Sequence, residues 1–96
     1  MTQSLSVVQT KSFKKAVKKL HSNQKADLDV AIRQIIEKPD IGTQKVGELA
    51  SVRVYKFKMV KQLTLLAYQF DDGRLILTLL MFGTHENFYR DIKLIL

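Results

Sequence analysis

His85 and Tyr89, four residues apart near the C-terminus, are the two side chains of this chain best suited to acid–base chemistry. An imidazole titrates near neutrality and a phenol can give or take a proton, so the pair has the right types for the two proton transfers of phosphodiester cleavage. Cutting RNA without a metal requires a base at the 2′-hydroxyl, an acid at the leaving 5′-oxygen, and cations for the charge that builds on phosphorus. Arg53, Lys56, Lys58 and Lys61 supply such cations on a strand-like stretch. His85 itself stands in Gly83-Thr84-His85-Glu86-Asn87-Phe88-Tyr89, between the apolar run Leu75 to Phe82 and the last segment. Side chains at a strand-to-helix junction are held on both sides yet still reach solvent. A histidine at a helix start is also commonly a structural hydrogen-bonding group, so both readings stand.

Other chemistries are excluded more firmly. Two histidines far apart and no cysteine leave no zinc site and no disulfide framework, so neither a metal nor a cofactor is expected. There is no Gly-rich phosphate loop, dinucleotide fingerprint or nucleophile elbow. Asp71-Asp72 precedes Gly73 and reads as hairpin chemistry rather than an acid pair. His21, at the end of a lysine-rich segment, reads as a helix C-terminal residue.

The 96 residues predict one domain, 1–96, of ordinary globular composition, 46% hydrophobic and 26% charged. Sixteen Lys and Arg against nine Asp and Glu give +7, which favours acidic partners such as nucleic acid or an acidic protein. The excess is concentrated early: residues 1–46 carry nine basic and four acidic residues, and residues 47–96 carry seven and five. The start, Met1 to Ser6, lacks a basic region followed by an apolar stretch, and no apolar run approaches the length of a membrane span. The expectation is a soluble cytoplasmic protein with no membrane partner.

The elements that must position these residues follow from periodicity. Leu5 to Gln9 suits a short strand, and Thr10 or Ser12 can cap the helix after it. In that helix Phe13, Ala16, Val17 and Leu20 share one face, and Lys11, Lys14, Lys15, Lys18 and Lys19 form the other. The lysine face is either a solvated surface or a phosphate- or partner-binding one. Ser22 or Asn23 can cap a second helix, with the stripe Leu28, Ala31, Ile32, Ile35, Ile36 and a stop at Pro39. Three strands follow a polar loop: Val52 to Val60, Leu63 to Phe70, and, after the turn Asp71-Asp72-Gly73, Arg74 to Phe82. The last two are apolar on both faces and should be central and covered on each side. A final helix is expected to be capped by Thr84, with His85, Tyr89 and Lys93 along the border of its apolar face. The fold class is α+β: N-terminal strand, antiparallel two-helix hairpin, three-stranded antiparallel meander, C-terminal helix.

In this order, the chain resembles the RelE/ParE superfamily of bacterial toxins from type II toxin-antitoxin systems. The resemblance covers nearly the whole chain and rests on five stretches. These are the helix start Phe13-Lys14-Lys15, the turn Pro39-Asp40-Ile41-Gly42, the run Gly47-Glu48-Leu49, the strand start Val52-Arg53-Val54-Tyr55, and the close Gly83 to Tyr89. The closing Gly-Thr-His is most similar to the YafQ branch, in which a histidine at that place takes part in ribosome-dependent mRNA cleavage. The resemblance implies His85 as the acid–base residue and Tyr89 as a second catalytic or base-stacking group. It assigns phosphate and RNA binding to Arg53, Lys56, Lys58 and Lys61. It also implies a cognate antitoxin as partner, with DNA contact only through the antitoxin complex, and either the ribosome with mRNA or DNA gyrase as target. The pattern departs from both RNA-cutting branches. YafQ-like toxins carry further histidines and an aspartate where this chain has Tyr55, Lys56 and Lys58, and RelE-like toxins carry an arginine in the strand that here reads Leu63 to Tyr68 without a basic residue. The ParE branch shares the fold and inhibits gyrase with no required histidine. A non-enzymatic basic RNA-binding module is the remaining alternative.

Overall fold

Five strands form one sheet in the order β1-β5-β4-β3-β2, in a computed structural model that describes residues 5–96. The stretch Met1 to Ser4, part of the N-terminal segment considered above, lies outside the described residues. The strands are β1 (Ser6–Gln9), β2 (Thr43–Gln44), β3 (Arg53–Met59), β4 (Gln62–Asp71) and β5 (Ile76–Gly83). The helices are α1 (Lys11–Lys18), α2 (Ser22–Glu37) and α3 (Phe88–Ile95), with a 3-10 turn at Gly47–Leu49. The α+β expectation and the antiparallel β3-β4-β5 meander are therefore present. Two features extend it: β1 joins the same sheet parallel to β5, and the loop after α2 contributes the two-residue edge strand β2.

The doubly apolar strands are the middle of the sheet, and each face has its own core. Phe13, Leu28, Ile35, Met59, Leu66, Tyr68, Leu77 and Leu79 pack on the α1 and α2 side. Leu49, Val52, Val54, Leu65, Ala67, Leu80, Phe88 and Ile92 pack on the α3 side. Alternation along β4 sends Leu66 and Tyr68 to one core and Leu65 and Ala67 to the other. In β5 the alternation slips. Tyr68 pairs with Leu79 but Ala67 pairs with Met81, so Leu80 is the extra residue of a bulge. The slip returns Phe82 to the α1 face, where its ring meets Phe13 edge-on at 5.2 Å.

Thr10 fastens α1 to this strand. Its N–H donates to the Leu79 carbonyl at 3.1 Å, its hydroxyl donates to the Leu80 carbonyl at 2.8 Å, and the same oxygen accepts the Phe13 N–H at 3.1 Å. One residue thus caps the helix and ties it to the sheet. His21 is not a C-terminal residue of α1 but the N-cap of α2, and its N–H donates to the Gln24 side chain at 2.9 Å. The α1 pattern ends two residues earlier because Lys19 and Leu20 close the helix with shorter-range bonds to the carbonyls of Ala16 and Val17. β5 begins at Ile76 rather than Arg74: the turn spans four residues, and Leu75, at φ 55°, takes the left-handed position rather than Gly73.

The β3–β4 connection is strained. Val60 (φ 48°) and Lys61 (φ 70°) both adopt the left-handed conformation of a two-residue hairpin turn, and Asp27 of α2 accepts the Val60 N–H at 2.8 Å. A β-branched residue there costs on the order of 1–2 kcal/mol. Val60 is 43% exposed, so its side chain contributes little burial in return. Val60→Asn is therefore expected to raise stability by about 1 kcal/mol. A urea midpoint that rises at unchanged slope is the expected result.

Candidate functional site

Phe88 decides where the last helix begins. Its side chain is buried in the α3-side core, and Asn87 ahead of it turns the chain at φ 62°, a conformation that asparagine tolerates. Helix α3 therefore starts at Phe88, and Thr84 makes no cap. His85 lies in an exposed turn three residues before the helix, where its carbonyl accepts the Phe88 N–H at 3.3 Å.

The histidine and the tyrosine nevertheless meet. Their ring centroids are 5.8 Å apart at an interplanar angle of 76°, and Tyr89 is held from the other side by Phe88 at 5.2 Å and 87°. Tyr89 is half-buried against the α3-side core, so its ring has a fixed base while His85 projects into solvent. Lys45, from the loop after β2, sets its Nζ 5.0 Å from the Tyr89 ring centroid. One turn further along α3, Lys93 meets Glu48 at 3.4 Å, both side chains largely exposed.

The four strand cations do not form one group. Val54 belongs to the α3-side core, so Lys56 and Lys58, at even spacing from it, stand on the same face as α3. Lys56 is opposite Leu65, and Leu65 is opposite Gly83, which puts Lys56 two strands, roughly 10 Å, from the residue that leads to His85. Lys58 is opposite Leu63, one step further out, and Lys61 is at the hairpin tip beyond it. Arg53 is on the other face. Its guanidinium donates to the carbonyls of Gly42 at 2.8 Å and Asp40 at 3.2 Å, and reaches the Gln44 side chain at 3.5 Å. It borders a cleft of about 650 Å³ with Pro39, Asp40, Phe70 and Asp72, toward the β4–β5 hairpin and away from His85. Sequence reasoning missed Lys45, because nothing in a polar loop marks which lysine will fold back onto a helix 44 residues later.

His85, Tyr89 and Lys45, with Lys56 and Lys58 on the same sheet face, bring an imidazole and a phenol together with ammonium groups. No described helix is long and apolar enough to cross a membrane. In fold, the chain is similar to a mutant of the E. coli toxin RelE in the free state, with a TM-score of 0.72 and 16% identity over 97% of this chain and 94% of that one. It is similar to the toxin-antitoxin complex RelBE2 from Mycobacterium tuberculosis, at 0.71 and 19% over 84% and 98%. The intact E. coli RelBE complex matches at 0.69 and 22% over 86% and 99%. A comparison with curated protein sequences gives no match. The model of the ParE-like toxins of type II bacterial toxin-antitoxin systems matches residues 7–93, nearly the full length, and the chain belongs to that family.

Proposed function

We propose that this toxin inhibits growth as a ribosome-dependent mRNA interferase that cuts RNA without a metal. The observation that carries the reading is the contact of His85 with Tyr89 beneath a lysine ammonium. His85 takes the 2′-hydroxyl proton, the 2′-oxygen attacks phosphorus, and the leaving 5′-oxygen is protonated, with Tyr89 as the second proton-transfer group. Lys56 and Lys58 hold neighbouring phosphates, and Lys61 extends the basic track to the hairpin tip. Arg53 falls outside this reading, since its guanidinium is occupied by loop carbonyls on the opposite face. The exposure of His85 fits a dependence on the ribosome: an open surface orients an RNA strand poorly, so another body must supply the alignment.

The partner that restrains the toxin is a cognate antitoxin protein. Two of the similar structures, RelBE of E. coli and RelBE2 of M. tuberculosis, are toxin-antitoxin complexes. DNA contact would arise only through such a complex. His85→Ala, expressed without antitoxin, is expected to restore growth while its circular dichroism stays that of the wild type; undiminished toxicity would sink the reading. A second reading, inhibition of DNA gyrase without RNA cleavage, is favoured by the ParE-like character of the matching family. It requires a loss of supercoiling by purified gyrase, whereas the first requires new 5′ ends in primer extension on transcripts after induction.

A further inference from the structure

The cation closest to the His85–Tyr89 pair belongs to none of the strand positions. Lys45 is half-buried and placed by its backbone: its N–H donates to the Val52 carbonyl at 2.9 Å. Two residues later Gly47, at φ 66°, bends the chain into the 3-10 turn whose Leu49 is buried in the α3-side core. The loop is thus anchored on both sides of Lys45, and it meets α3 twice, at Tyr89 through Lys45 and at Lys93 through Glu48. Neither contact adds much stability, because a cation over a partly wet ring and an ion pair between exposed groups are both weak. Among the described residues Lys45 makes no ion pair. The ammonium of this half-buried lysine, without a counter-anion among the described residues and set against the ring that touches His85, is a prepared position for an anionic oxygen.

We propose that Lys45 is the phosphate-binding cation of the His85–Tyr89 site and takes a phosphodiester oxygen of single-stranded RNA. The proposal rests on the reading of that site as one that handles RNA. It assigns Lys56 and Lys58 to the neighbouring phosphates of the strand, because the sheet register sets them two strands away from Gly83. On this placement the ammonium lies over one face of the Tyr89 ring.

The test uses the purified full-length chain and an uncleavable probe, a 2′-O-methylated RNA hexanucleotide, with affinity measured by fluorescence anisotropy over a range of salt. Lys45→Gln should lower the slope of log affinity against log salt by about 0.7, the signature of one lost phosphate contact on a single strand. Its affinity at low salt should fall roughly 3- to 10-fold. Lys45→Arg should keep the slope. Glu48→Gln, which releases the loop from Lys93 but leaves the ammonium, should keep it as well. An unchanged slope for Lys45→Gln, whether or not affinity falls, would reduce Lys45 to a strut for Tyr89 and overturn the proposal, as would failure of the wild type to bind the probe. The two readings separate cleanly. A Lys45-dependent slope without transcript cleavage in cells keeps the phosphate site and removes the nuclease, while an unchanged slope with a growth-restoring His85→Ala does the reverse.

Discussion

Tyr68→Phe is expected to lower the free energy of unfolding by about 2 kcal/mol at neutral pH, although it removes one oxygen atom and leaves the ring in place. The ring is fully buried in the middle of β4, and its hydroxyl bridges the loop that follows α2. It donates to the Pro39 carbonyl at 2.6 Å and accepts the Gly42 N–H at 2.9 Å. The two losses are unequal. The bond to Gly42 is buried, so its N–H is left without a partner and carries the larger part of the cost, whereas the Pro39 bond is only partly buried and water can replace it. The fit also requires glycine at 42, since a Cβ there would stand 2.7 Å from the Tyr68 hydroxyl oxygen. Burial raises the Tyr68 phenol above its ordinary value of 10.0, against the lowering effects of the Gly42 hydrogen bond and the Arg53 charge. A folded-state value above the unfolded one means stability that is intact below about pH 10 and is lost as pH rises toward the folded value, because the unfolded chain ionises first. The gap between wild type and Tyr68→Phe should therefore narrow above about pH 10, read from urea unfolding at a series of pH values. A gap that stayed constant or widened there would contradict the assignment.

That latch illustrates what the sequence conceals. The amphipathic stripes of α1 and α2, the stop at Pro39 and the doubly apolar β4 and β5 are local patterns, and they predict the layers and the central strands correctly. Three features depend on contacts between distant residues and leave no local trace. Tyr68 is one more aromatic residue in a strand until the loop 26 residues earlier folds back over it. The bulge at Leu80 is invisible because every residue from Leu75 to Phe82 except Thr78 is apolar, so no alternation exists to be broken. Thr84 with Glu86 mimics a capped helix start, but burial of Phe88 and the left-handed Asn87 outweigh a cap of that kind and α3 begins later. In the site, the four-residue spacing brings His85 and Tyr89 together, but through a turn and a helix start rather than one helical stripe. Strand alternation already sets Arg53 on the face opposite Lys56 and Lys58, but it says which face a residue takes and not what waits there. Its place opposite Tyr68 in the register puts it beside the loop that the tyrosine holds, and both side chains grip the backbone around Gly42. The same loop runs on through β2 to Lys45. The latch under the sheet and the cation beside His85 are therefore joined by only a few residues of chain, and loosening the first should blur the position of the second.

Phe13→Ala is expected to be the costlier change, at about 3–5 kcal/mol, and its effect should fall first on the lysine-rich helix. Helix α1 has eight residues, too few to persist alone, and its lysines at 11, 14, 15 and 18 repel one another along the exposed side. Its hold on the molecule comes from two adjacent points. Thr10 supplies two hydrogen bonds to β5, and Phe13, 1% exposed, is the buried residue of the helix, packed edge-on against Phe82. Val17 adds a partly buried contact. Removing the ring leaves a cavity between α1 and β5 that the backbone cannot close, because Thr10 holds the helix start to the Leu79 and Leu80 carbonyls. The surviving helix would be anchored by polar contacts at one end and pushed outward by its own charge. Hydrogen exchange should show this as a loss of protection across residues 11–18 larger than that in β3, whose bonds to β4 do not involve the helix. Uniform loss across both elements would mean instead that α1 and the sheet unfold as one unit, and that Phe13 supports the whole fold. Low salt should enlarge the difference between the two elements, since the repulsion among the lysines is screened only at higher ionic strength.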